Sequence, residues 1–175
     1  MRQRTPVTLS AVCATAALLA AVSPGAPALA APAITCGMTV TTNITLTRDL
    51  TCPGPGLIIG ADNITIDLAG HTLAGSGPNT STDTGIRAEG QTNIRIQNGT
   101  VTGFRRAIHL FQVDNVLLSR LRITGNASLP EPSDAALSLD EVRNVQVRDT
   151  RLLQPTRTLY ALNTRDMRMD RDRKS

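Results

Sequence analysis

Arg105 and Arg106 stand side by side in the short turn Gly103-Phe-Arg-Arg, and the two longest polar insertions of the chain lie on either side of it. The first insertion, residues 75–84, carries Asp83; the second, residues 125–134, carries Glu131 and Asp134. Guanidinium and carboxylate groups gathered in one groove can hold an ionic ligand by charge-assisted hydrogen bonds. Asp83, Arg105, Arg106, Glu131 and Asp134 are therefore the candidate ligand-binding residues. Asp83, Arg105 and Arg106 are the candidates for catalysis, with no role assigned. The simpler reading is a salt-bridge ladder of Asp83, Arg105, Arg106 and Asp134, which contributes little at a surface.

Other reactive side chains are few. His71 and His109 are the only histidines, and they fall in different parts of the chain's repeat. His109 lies between Ile108 and Leu110, so strand alternation turns it outward, and Ser138 holds the same phase one unit later. A Ser–His nucleophile would need an oxyanion-hole signal, such as a strand–Gly-X-Ser-X-Gly–helix elbow, and the sequence has none. Cys36 and Cys52 have no histidine nearby, which would leave a zinc shell half empty. No metal site is assigned, and a disulfide over this stretch would add about 3 kcal/mol. Phe104 and Phe111 offer a sugar a stacking face, although with Tyr160 they are all the aromatic residues.

The elements that must position these groups come from a repeat. Asn93-Ile-Arg-Ile, Asn115-Val-Leu-Leu and Asn144-Val-Gln-Val each place a turn residue before a short strand, and Asn63 and Asp166 open equivalent copies. Seven residues ahead of the later copies stand Ile86, Ile108, Leu137 and Leu159, each opening another strand. A fixed period of this kind names the architecture directly. Strands of three to five residues cannot bury a face alone, but stacking each unit on the last buries it as ladders of Ile, Val and Leu. No helical period separates the strands, which excludes a βαβ sheet. A β-sandwich would not require the same Asn at the same phase of every unit.

The sequence thus predicts an all-β, right-handed parallel β-helix of about four to five units over residues 57–169, spaced ~4.8 Å apart. An N-terminal hairpin closed by the Cys36–Cys52 disulfide precedes it over residues 31–56. A charged, disordered tail, residues 170–175, follows. Asn suits the bends because it tolerates the left-handed conformation and can bond its own loop backbone. The Asn-to-Asn steps are 30, 22, 29 and 22 residues, the last ending at Asp166. The two long steps hold the two insertions, which precede equivalent strands and so project from one edge. Loops on one edge commonly form the binding face of a repeat protein.

Composition narrows the class. Residues 1–30 read as a signal peptide: basic Arg2 and Arg4, an apolar run from Val7 to Val22, the breaker Ser23-Pro24-Gly25 and the small-residue site Ala28-Leu29-Ala30. About 145 residues remain, enough for one domain. Of the 18 basic residues, the two in the leader leave 16 against 14 acidic, a net charge of +2. Interspersed signs and scarce aromatics argue against nucleic acid as a partner. No segment reaches the length of a membrane span. The expectation is a secreted, extracellular protein in which the cysteines are free to pair.

From Leu57 to Met169 the repeat resembles the right-handed parallel β-helix superfamily of pectin-acting and other polysaccharide-acting proteins, including polygalacturonases and pectate lyases. In polygalacturonases the catalytic aspartates sit just ahead of the strand that Ile86, Ile108 and Leu137 open here. The Asn-Thr-Asp segment of that family falls near Ser81-Thr82-Asp83, its paired aspartates fall on Arg105 and Arg106, and its histidine falls near Ala135. The acid and base that glycoside hydrolysis needs are absent from those places. What the pectate-lyase resemblance implies is an Arg base, here Arg105 or Arg106, with Ca²⁺ held by carboxylates. Calcium needs six to eight oxygens, and Asp83, Glu131 and Asp134 offer three carboxylates at most.

The expected function is accordingly polysaccharide binding, or a noncatalytic remnant of a polysaccharide-acting family, with no cofactor. Alternatives are a Ca²⁺-dependent polysaccharide lyase and a structural surface module without a ligand. The unit that begins at Asp166 breaks off without a third strand or cap. Either its mixed charges blunt the open edge, or the chain is a shortened member of a longer family.

Overall fold

The computed structural model describes residues 33–77, 84–125, 135–153 and 158–170, and every regular element in them is a β-strand. The expected leader, tail residues 171–175, and Asp83, Glu131 and Asp134 lie outside the described residues. A first pass of the chain contributes β1 (Thr39–Val40), β2 (Ile44–Thr45) and β3 (Leu50–Cys52), and a second β4 (Leu57–Ile59), β5 (Thr65–Asp67) and β6 (Thr72–Gly75). In the next two passes the later strands fuse, giving β7 (Thr84–Glu89) with β8 (Thr92–Phe104), then β9 (Arg106–Phe111) with β10 (Asp114–Gly125). The last two passes supply β11 (Leu137–Asp140), β12 (Arg143–Arg148), β13 (Arg151–Leu153), β14 (Leu159–Leu162) and β15 (Arg165–Asp170).

Every pairing is parallel. One sheet runs β1-β4-β7-β9-β11-β14 and the second β15-β12-β10-β8-β5-β2, with β3, β6 and β13 alongside the far ends of the second sheet's strands. Register stacks like on like. Leu57, Ile86, Ile108 and Leu137 align in the first sheet and are each fully buried. Ile66, Ile96, Leu118 and Val147 align in the second, at most 2 % exposed. Burying each such side chain contributes roughly 1.5–3 kcal/mol, so the stacked core is the main source of stability. Among the described residues no helix is long and apolar enough to cross a membrane.

The N-terminal hairpin is not formed. β1 lies parallel to β4, with Thr39 opposite Ile58, while β2 pairs β5 and β3 pairs β6. Val40, Leu46 and Cys52 enter the same core as every later pass. The reason lies at Asn43, whose Oδ1 accepts the Thr65 N–H at 2.8 Å. That bond ties the corner to the following pass rather than folding the chain back on itself. The Cys36–Cys52 disulfide is present, with Cα atoms 5.5 Å apart, and it clamps the start of this first pass to its end. At the other end of the chain, Asp170 belongs to β15 rather than to the expected tail.

The bends carry left-handed residues. Asn63, Asn93, Asn115, Asn144 and Asp166 have φ between 51° and 59°. Asn93 Nδ2 donates to Asn63 Oδ1 at 2.8 Å, but Asn144 Nδ2 donates to Asp114 Oδ1 instead of the Asn115 amide. The amide ladder is therefore interrupted midway. A second column, Asn98, Arg120 and Asp149, is also left-handed. There Asp67 accepts from Gln97 Nε2, the Ala69 N–H and Asn98 Nδ2 at 2.8–3.0 Å, while Arg120 Nε donates to Asn98 Oδ1 at 2.5 Å. Burial opposes the Asp67 charge, yet these donors and the Arg120 charge outweigh it and lower its pKa.

Candidate functional site

Arg105 is the single residue between β8 and β9, and Arg106 opens β9. Two features bring the chain to that point. Gly103 adopts φ 75°, a left-handed conformation that glycine takes with no Cβ penalty, and the Phe104 ring is driven inward to zero exposure. A Cβ at Gly75 would lie 2.9 Å from the ring, and one at Gly85 2.7 Å from it. Phe104 is thus held between two glycines that leave it room. It is core, not a sugar-stacking surface as its sequence position suggested. Arg105 and Arg106 then emerge half-buried, with the Nε atoms of both inside the surface.

Most of the two insertions expected to frame a groove lies outside the described residues. Thr84, the last residue of the first insertion, stands in register with Arg106. Beyond the second insertion, the Ala136 carbonyl accepts the Ile108 N–H at 3.0 Å. Both insertions therefore return to the first sheet beside the start of β9, as their common phase in the repeat requires. Asp83, Glu131 and Asp134 themselves lie outside the described residues.

The outer face of the first sheet gives the site its substance. Register aligns Arg87, His109, Ser138 and Tyr160 across β7, β9, β11 and β14, spaced by roughly 4.8 Å. His109 is half-buried, and its pKa is lowered from 6.5 to about 4. Burial is the main cause, followed by the positive charges of Arg106 and Arg87, with Glu89 opposing them. The imidazole is neutral near pH 7, so the positive charge on this face belongs to the arginines. Arg87 also pairs with Glu89 on its own strand, both about half exposed. The sequence reading missed Arg87, although its place between inward Ile86 and Ala88 marked it as outward.

Ser138 and His109 are register neighbours, as their shared phase implied, but Ser138 is only 1 % exposed. A hydroxyl so enclosed cannot meet a substrate, and an imidazole with a pKa near 4 is a weak base at neutral pH. His71 belongs elsewhere: its Nδ1 lies 3.2 Å from Asp49 Oδ1, which also accepts the Thr72 N–H at 2.9 Å. Those two contacts, the backbone one first, lower the Asp49 pKa. Among the described residues no group of three or more His, Cys, Asp or Glu side chains is placed to hold a metal ion. The carboxylates that the lyase alternative would offer to calcium, Asp83, Glu131 and Asp134, lie outside those residues.

His109 makes the face sensitive to acid. Its folded pKa lies below its ordinary value, so the stability it confers is intact above pH 6.5 and is lost as pH falls toward 4. The loss is expected to be about 1–2 kcal/mol once screening of the half-exposed ring is allowed for. His109→Gln should flatten the urea-midpoint profile over that window while leaving the neutral-pH value nearly unchanged. An identical acid slope in wild type and variant would refute the assignment.

Two of the clefts on other faces are lined by polar and charged side chains. One, of about 470 Å³, is bordered by Gln112, Asp114, Glu141, Arg143, Asn163 and Arg165, so its charges balance. The other, of about 520 Å³, runs along the Asn63, Asn93, Asn115 and Asn144 amides and Arg95. Neither gathers cations as the first-sheet face does. No protein-family model matches the chain, and neither a curated protein nor a solved structure does.

Proposed function

We propose that the chain is an exported right-handed parallel β-helix protein that binds an acidic polysaccharide along its first-sheet face and does not cleave it. The observation that carries this reading is the cross-strand alignment of Arg87 with His109 beside Arg106. Burial first, and then the charges of Arg106 and Arg87, depress the His109 pKa, and the two arginines place positive charge beside the imidazole on this face. Repeating strands offer a repeating polymer equivalent contacts, and guanidinium groups match carboxylates in bidentate geometry. The buried Ser138 hydroxyl and the neutral His109 supply neither nucleophile nor acid, which favours binding over chemistry. The disulfide fits an oxidising compartment and supports the export reading of residues 1–30.

The test is a screen of acidic and neutral polysaccharides, with and without Ca²⁺, read by thermal shift and by absorbance of unsaturated product. Acidic polymers should raise the melting temperature in a salt-dependent way, because exposed charges more than ~10 Å apart are screened at 0.1 M. Neutral polymers should not. Arg87→Glu is expected to weaken binding several-fold, given about 0.2–1 kcal/mol for each exposed ion pair. Unsaturated product that disappears in Arg105→Ala or Arg106→Ala would replace this reading with a lyase. Absence of any shift with any glycan would overturn it in favour of a structural module.

A further inference from the structure

The two ends of the stacked sheets differ. At the first pass the edge strands β1, β2 and β3 are two or three residues long, and Ile34, Cys36 and Met38 pack over the core there. Short, covered edges of this kind resist pairing with other chains. At the last pass β14 and β15 have four and six residues, and among the described residues nothing pairs with their outer edges. Apolar side chains also surface at this end. Val145 and Val147 are buried, but Met167 and Met169, which align with them, are half-buried and 39 % exposed. Leu153 and Leu162 are 37 % and 44 % exposed.

We propose that this end, formed by β13, β14 and β15, is a two-fold homodimer interface in which β15 pairs antiparallel with β15 of a second copy. The argument rests on the charge sequence of the strand, Arg165-Asp-Met-Arg-Met-Asp170. Arg168 and Asp170 align with exposed Gln146 and Arg148, Met167 and Met169 continue the core beneath Val145 and Val147, and Asp166 stands exposed at the left-handed bend that opens the strand. An antiparallel self-pairing must keep core residues opposite core residues, because a one-residue slip exchanges the faces. One allowed register sets Arg168 against Arg168, which like-charge repulsion disfavours. The neighbouring registers place Met167 or Met169 on the two-fold axis. Arg168 then faces Asp166 or Asp170 of the other copy, and the pairing occurs twice by symmetry. The strand is thus complementary to itself in charge about the axis, with one methionine set against its symmetry mate, as an isologous contact requires. Alternating signs serve self-pairing, whereas a run of one sign would oppose it.

Sedimentation velocity of the chain from Ala33 onward, across a dilution series, should give twice the monomer mass and dissociate on dilution. Arg168→Asp makes positions 166, 168 and 170 all acidic, and Asp166→Arg with Asp170→Arg makes the same three positions all basic. Each variant alone is expected to be monomeric, and a mixture of the two is expected to restore a 1:1 dimer. Arg120 already occupies the left-handed conformation of Asp166, so the basic variant should fold, which far-UV circular dichroism checks. Should either charge variant lose its fold, Met169→Glu, at an already exposed site, must give a folded monomer. A wild-type chain that stays monomeric at every concentration would overturn the proposal. So would a dimer that persists in Met169→Glu or in both charge variants.

Discussion

Truncating Phe104 to alanine is expected to destabilise the protein by about 3–5 kcal/mol, the largest effect of any single side chain considered. Phe104 heads the residues that are both fully buried and large. Its ring fills space that Gly75 and Gly85 leave, and Cβ atoms there would approach it to 2.9 and 2.7 Å. Relaxation into the resulting cavity is restricted, because Gly85 also lies against the Ala107 carbonyl and the Val101 side chain. Urea denaturation should show a lower midpoint with an unchanged slope. The same substitution bears on function, since Phe104 immediately precedes Arg105 and Arg106 and sets where they leave the core. Phe104→Leu, which keeps most of the volume, should lose less than half as much stability. A loss below about 1 kcal/mol in Phe104→Ala would mean that the ring is not locked in the core.

Removing the disulfide with Cys36→Ser and Cys52→Ser is expected to cost about 3 kcal/mol. In a domain of this size that is a fall of roughly 10 °C in melting temperature. The bridge joins residues 16 apart and holds together a pass whose strands are too short to stand on their own pairing. Cys52 is fully buried in the core, so its serine replacement also places a hydroxyl among apolar groups. The loss should be local at first. Hydrogen exchange is expected to quicken in β1 and β3 before it changes in β8 and β10, where the longest strands lie. If reduction with a thiol leaves the melting temperature unaltered, the clamp carries no such role.

Much of this fold is legible in the chain itself, because its pattern is local. The Ile, Val and Leu positions recur at strand period, and Asn at the bends needs only its own backbone to adopt the left-handed conformation. Those residues specify parallel stacking without reference to anything distant. The disulfide was legible for the same reason: two cysteines with no competing ligand have one obvious partner. What local pattern could not convey was the direction of pairing at the N-terminus. Strands of two or three residues look alike in a hairpin and in a first pass, and only bonds to the following pass, such as those from Thr65 to Asn43 and from Ile58 to Met38, separate the two.

The candidate site could be picked out by residue type and not by neighbourhood. Arg105 and Arg106 stood out because a short turn between two insertions is visible in the spacing. Arg87 did not, because it becomes their neighbour only after register has removed the length differences between successive passes. Tertiary structure alone decided that His109 loses its proton affinity, through enclosure and the fields of Arg106 and Arg87. It alone decided that Ser138 is sealed and that Phe104 turns inward. Sequence by itself determined the repeating β-architecture, since periodicity is a property of the chain. Burial and electrostatic coupling belong to the assembled sheets, since both depend on groups that only stacking brings within a few ångströms.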